Sequence, residues 1–292
     1  MALFAKNCYN YDRGDNVTTE QEHLQDLERI KNFRLMDDNF FHACMKDNIE
    51  AAQLILRIVL EDDSIQVKHA FTQEEVKNLF GHSLYLDLFA VDIRGSRYDC
   101  EIQRSDAGAC PERAEYHCST LDANSLPAGE QDFRKKKASF TIFITENDIY
   151  EAGLPVYHIE PIVKELNRPF GGKARIIYVN GAYDDGGQSA IGQLMRDFRC
   201  SEPDEMYFCE LATRVRHFKK EKEGVNTMCR ELEKMRAESE AKGEARGRAE
   251  GSLNRIVAAV KDLMRNGKMP AAEAMDLLSV SSEERKLIVP LL

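Results

Sequence analysis

Residues 84–104 read LYLDLFAVDIRGSRYDCEIQR. Two runs rich in β-branched, aromatic and other apolar residues flank Arg94-Gly95, the pattern of two strands joined by a tight turn. A three-residue loop of Ile93, Arg94 and Gly95, with Gly95 left-handed, is a common hairpin connection and pairs Asp92 with Ser96. Counting back from that pair sets Asp87 opposite Glu101, on one face and with Cβ atoms about 5 Å apart. Period-two alternation adds Asp99 and Gln103 to that face and turns Tyr98, Cys100 and Ile102 to the other. Opposed carboxylates in a sheet repel, and a cation between them would remove the conflict. A hard ion such as Mg²⁺ binds through one or two carboxylates and completes its shell with water and substrate phosphate oxygens. The reaction suited to such a site is phosphodiester hydrolysis. The same spacing is compatible with an exposed hairpin whose acids face water, and a one-residue slip in register would reverse every side chain.

Outward from this segment, residues 38–60 (DNFFHACMKDNIEAAQLILRIVL) place Phe41, Met45, Ala52, Ile55 and Val59 near helical spacing after an Asp suited to cap a helix. Residues 65–71 (IQVKHAF) read as a further strand. A helix is expected over 111–126 (PERAEYHCSTLDANSL), with Pro111 in its first turn. SFTIFIT (139–145) and ARIIYVN (174–180) are nearly continuous apolar runs, as expected of strands buried on both faces. The order of helix, strands, helix and strand predicts a mixed α/β domain. After Gly187 the composition becomes helical. Residues 1–36 read as a leader segment, 37–218 as the main domain, 219–251 as a charged helical linker and 252–292 as a small helical module. Gly224, Gly243, Gly247 and Gly251 weigh against a coiled-coil scaffold built on the charged stretch.

Charge is uneven along the chain. Residues 210–292 carry 17 Lys+Arg against 14 Asp+Glu, net +3, whereas residues 1–209 carry 23 against 36, net −13. That acidic front part argues against indiscriminate nucleic-acid binding but suits a divalent cation. No apolar run approaches the ~18 residues of a membrane span, so an integral membrane protein is excluded. The first residues lack the pattern of a secretory signal, and a cytoplasmic location is expected. The eight cysteines contain no CxxC pair and are expected as free thiols. The nearest approach to a zinc pattern, Cys110 with His117 and Cys118, suits no common site. His42, His69 and His82 read as structural.

Asp87, thirteen residues, then Glu101-Ile102-Gln103, following a core helix, resembles the PD-(D/E)xK nuclease superfamily. The closer similarity is to its recombination-promoting nuclease branch, often described as transposase-like, in which ExQ commonly replaces ExK. LMDDNFF, ERAEYHCSTLDANSLPAGE, TIFITENDIYEAGLPVYHIE, ARIIYVNGAY and IGQLMRDFRC are similar to segments of that branch, so the resemblance covers about residues 35–220. It implies a restriction-endonuclease-like mixed β-sheet core flanked by helices, with a helical C-terminal appendage, and a Mg²⁺-dependent DNA endonuclease in which Mn²⁺ can substitute. Asp87 and Glu101 would bind metal, and Gln103 would hold the position of the superfamily lysine. Asp38 matches an accessory acid. Arg113 and Tyr116 match an Arg and a Tyr of the second helix, with Arg113 a phosphate contact. Each has another reading: Asp38 as a helix cap, Arg113 as a surface ion-pair partner, Tyr116 as core. Gln103 is neutral and can orient water but supplies no cation or base. Implied partners are DNA and a second copy of the chain; residues 252–292, helix, turn, helix, turn, helix, suit either self-association or DNA contact through a helix-turn-helix. The implied setting is recombination or defence against foreign DNA.

Overall fold

The computed structural model describes residues 20–77 and 81–292. Most of the leader segment therefore lies outside the described residues. Its last part contains helix α1 (Glu20–Asn32). The helix expected over 38–60 is two helices, α2 (Asp38–Met45) and α3 (Ile49–Leu60). The break is local chemistry: Asp47 adopts φ +54, and the Asn48 side chain accepts from Ala51 N–H (3.1 Å) to start α3. Asp38 does not cap α2. The cap position is Asp37, whose carboxylate is engaged by Arg34 N–H instead.

Strands β1 (Val67–Val76), β2 (Leu84–Asp92) and β3 (Arg97–Gln103) form an antiparallel meander. A 3₁₀ turn (Asp106–Ala109) leads into helix α4 (Pro111–Ala123). Strand β4 (Ser139–Thr145) then pairs parallel to β3. Three short strands that the sequence reading passed over follow: β5 (Val156–Ile159), β6 (Ile162–Val163) and β7 (Arg168–Pro169). Strand β8 (Ala174–Asn180) pairs parallel to β4 and antiparallel to β5, so the six-stranded sheet runs β1-β2-β3-β4-β8-β5. The chain is a mixed α/β protein, as expected. The central strands are covered on both faces, which explains their unbroken apolar runs.

Helices α5 (Ala190–Arg199) and α6 (Cys209–Lys220) complete the core around the first helices. Phe41 meets Phe198 at 5.9 Å between ring centroids, and Phe40 meets Phe218 at 6.4 Å. The described residues up to Met228 form one compact unit and Cys229–Leu292 another. Helix α7 (Lys222–Asn266) runs unbroken through Gly224, Gly243, Gly247 and Gly251. In the second unit, Val257 and Val260 of α7 pack with Ala274 and Met275 of α8 (Ala271–Leu277) and Ile288 of α9 (Ser282–Ile288). No described helix is long and apolar enough to cross a membrane. Among the described residues no disulfide joins the cysteines.

The β2–β3 register is the expected one. Leu88 pairs with Cys100, Phe89 with Asp99, Ala90 with Tyr98 and Val91 with Arg97. Gly95 takes φ +81 at the turn. The buried Asp92 carboxylate holds that turn, accepting from Arg94 N–H (2.9 Å), Ser96 N–H (2.8 Å) and the Tyr98 hydroxyl (2.9 Å). Burial alone would raise its pKa, but these donors outweigh burial and hold it below the ordinary value. Its stabilisation is therefore present above the unfolded-chain pKa, about 4, and is lost as pH falls through the lower folded value. Asp92→Ala is expected to cost about 2 kcal/mol or more in urea denaturation at neutral pH. A loss below about 0.5 kcal/mol would show that the turn does not need the carboxylate.

Candidate metal centre

The hairpin acids do not face water. Asp99 and Glu101 are fully buried, and the Asp87 side chain keeps only 15% of its surface. The backbone ladder ends at Leu88–Cys100, and past that point the carboxylates take over the role of the carbonyls. Asp87 N–H donates to Glu101 Oε1 at 3.0 Å, and Ile102 N–H donates to Asp87 Oδ2 at 2.9 Å. This reciprocal exchange is a structural reason for two opposed acids that spacing alone did not reveal. It also fixes the orientation of both carboxyl groups.

The other two oxygens meet cationic or polar side chains. Glu101 Oε2 accepts from Arg113 Nη2 at 3.2 Å, and Asp87 Oδ1 lies 3.1 Å from His42 Nε2. Arg113 stands on α4, and its partner is the buried Glu101 rather than a surface acid. His42, on α2, also lies 3.2 Å from Asp38 Oδ1, and Gln73 approaches its Nδ1 at 3.3 Å. Burial opposes the charge on His42, yet the bond to Asp87 and the nearby Asp38 raise its pKa above the ordinary imidazole value. A shallow cleft lined by Asp38, His42, Gln73, Tyr85, Leu86 and Asp87 opens here. His42 thus lies in the cleft between Asp38 and Asp87, a placement that the reading of it as structural did not anticipate. It escaped notice because Asp38 and His42 are four apart on a helix, and only the tertiary fold brings them to Asp87.

Two clusters of ligand-type side chains result: Asp38, His42 and Asp87 in the cleft, and Asp99, Glu101 and His117 beneath it. Asp87 and Glu101 fall into different clusters, linked through the Asp87 N–H bond. In the buried cluster, Asp99 Oδ2 accepts from His117 Nδ1 at 3.0 Å, while Asp99 Oδ1 has no hydrogen-bond partner. Burial pushes the Asp99 carboxyl up to about 8. Burial, then the charges of Asp99 and Asp87, push Glu101 well above the carboxylate range. Burial lowers His117. His117 was read only as part of a weak Cys/His pattern, and the structure instead joins it to strand acids.

Gln103 lies beside the site at the end of β3, its amide against Gly108 of the 3₁₀ turn, where a Cβ would overlap Oε1. Arg104 turns away, pairing with Asp37 (2.7 Å) and Glu146 (3.0 Å), as alternation requires. Tyr116 is not core: it is exposed, and its hydroxyl donates to His82 carbonyl at 2.6 Å.

The donor set of Asp87, Glu101 and Asp38 consists of hard oxygens, each with a second lone pair beyond its present partner, and Asp99 Oδ1 is a buried acceptor still unsatisfied. Each of the two clusters brings together carboxylate oxygens and an imidazole nitrogen, groups of the kind that could hold a metal ion. Compared with family models, with curated proteins and with solved structures, the chain matches none.

Gly108→Ala tests the placement of Gln103. Stability should change by less than about 1 kcal/mol, because only the flexible end of a side chain must yield. The Gln103 side-chain amide signals should shift in an NMR spectrum, and unchanged signals would place the amide elsewhere.

Proposed function

We propose that the chain is a metal-dependent DNA endonuclease of the PD-(D/E)xK type, with a restriction-endonuclease-like core and Mg²⁺ as cofactor, Mn²⁺ substituting. The observation that carries this reading is the pair Asp87 and Glu101, fixed on adjacent strands by reciprocal main-chain bonds, with Asp87 lining an open cleft. Asp87 and Glu101 would hold the ion, with Asp38 as an accessory acid. A bound divalent ion would supply charge neutralisation and water activation for phosphodiester hydrolysis.

The chain's own residues do the rest. Gln103 accepts from and donates to a water molecule, orienting it without taking its proton. Arg113, which holds Glu101, has a guanidinium fork that matches phosphate oxygens and would contact one there. His42 adds an imidazole at the cleft, and its bond to Asp87 and the nearby Asp38 favour the charged form that the neutral Gln103 cannot take. By the family resemblance, the products are a 3′-hydroxyl and a 5′-phosphate, the setting is recombination or defence against foreign DNA, and the C-terminal helices pair two copies or contact DNA; the location in this reading is cytoplasmic.

A second reading is a nuclease-fold module that binds DNA or protein and no longer cuts. It draws on one observation: all four oxygens of Asp87 and Glu101 already have partners within the chain.

Plasmid nicking decides between them. With Mg²⁺ or Mn²⁺ the native chain should nick supercoiled DNA, EDTA should abolish nicking, and Glu101→Ala should lower it on the order of a hundredfold or more. Gln103→Ala should reduce the rate less, since water orientation contributes less than the ion. DNA binding without nicking under either metal would establish the second reading.

A further inference from the structure

The buried cluster of Asp99, Glu101 and His117 is separate from the cleft and has features that a cleft metal does not explain. Asp99 stands on the same face of β3 as Glu101, two residues away, and α4 brings His117 down onto both. Their ligand atoms lie within 4.8 Å of one another. Two carboxylates with no solvent exposure are shared between one guanidinium and one imidazole. Asp99 Oδ1, on a residue with no exposed surface, accepts no hydrogen bond, an arrangement that costs free energy in a protein interior unless an unseen partner is present.

We infer that Asp99, Glu101 and His117 form a second, buried metal position of the class taken by Zn²⁺ or Mn²⁺. The spacing suits it: the three ligand atoms all lie within 4.8 Å of one another, close enough to share one ion. An imidazole beside two carboxylates favours a transition ion over Mg²⁺, which prefers all-oxygen shells. Binding requires the ring proton to move from Nδ1 to Nε2, so that Nδ1 can ligate while the ring remains neutral. The long contact from Arg113 Nε to His117 Nε2 (3.4 Å) then gives way. Glu101 would be common to this position and the cleft, so an ion here also holds in place the carboxylate that the cleft uses. The inference does not depend on DNA cleavage.

The test uses the full-length chain stripped with EDTA. Zn²⁺ binding is followed by calorimetry, and Co²⁺ binding by its visible absorption, which reports a nitrogen ligand. One Zn²⁺ per chain is expected, with Mg²⁺ failing to compete for it at equal concentration. Asp99→Asn and His117→Gln should each weaken Zn²⁺ on the order of a hundredfold and remove the Co²⁺ band, whereas His42→Gln and Asp87→Asn should keep both. Circular dichroism checks each fold. If neither Asp99→Asn nor His117→Gln folds, the His117 ring signals of the native chain on Zn²⁺ addition answer the same question, by shifting or not. A native chain that binds neither Zn²⁺ nor Co²⁺ overturns the inference. So does binding lost in His42→Gln but retained in His117→Gln, which would assign the ion to the cleft.

Discussion

The register between the second and third strands is the constraint from which the site follows. A turn closed on the Asp92 carboxylate sets it, and the backbone ladder carries it for four residue pairs before the two acids arrive. There the hydrogen bonding changes type. Asp87 and Glu101 each receive a main-chain N–H from the neighbouring strand, so the sheet continues through carboxylates instead of carbonyls. A slip of one residue between the strands would set Asp87 opposite Ile102 and put the two acids on opposite faces, parting the pair that Arg113 and His42 now contact.

This exchange alters how opposed acids in a sheet should be understood. Repulsion between them is real, and it shows in the raised pKa of Glu101, which burial and then its acidic neighbours produce. Yet the arrangement does not require a metal ion to form, because two N–H groups, one guanidinium and one imidazole already compensate it. A preformed pair of this kind is well suited to accept an ion: the carboxylates are oriented before it arrives, so little ordering remains to be done. The unsatisfied Asp99 oxygen is the exception, and it marks where the compensation is incomplete.

Helices on the two sides of the hairpin contribute differently. From α2 come Asp38 and His42, which meet Asp87 at an opening to solvent. From α4 come Arg113, whose own side chain is partly exposed, and the buried His117, which meet the fully buried Glu101 and Asp99. The sheet acids are therefore read from two directions, one wet and one dry. The dry side has the lower effective dielectric and so the stronger electrostatics.

Much of this was legible in the chain. Strand alternation and the Gly95 turn determined the hairpin, its register and the common face of Asp87, Asp99, Glu101 and Gln103, because those depend on neighbours within about twenty residues. The apolar runs likewise determined β4 and β8 as buried strands. Local signals were less clear where short polar residues compete with the helix: Asp47 and Asn48 split the 38–60 segment, and the exposed β5, β6 and β7 are too short to stand out. What only the tertiary structure decided is which side chains reach the acids. His42 and Arg113 come from helices 45 residues before Asp87 and 12 after Glu101, and His117 looked like part of a Cys/His pattern until α4 packed it against Asp99. Such pairings depend on how helices dock on a sheet, and no periodicity along the chain encodes that docking.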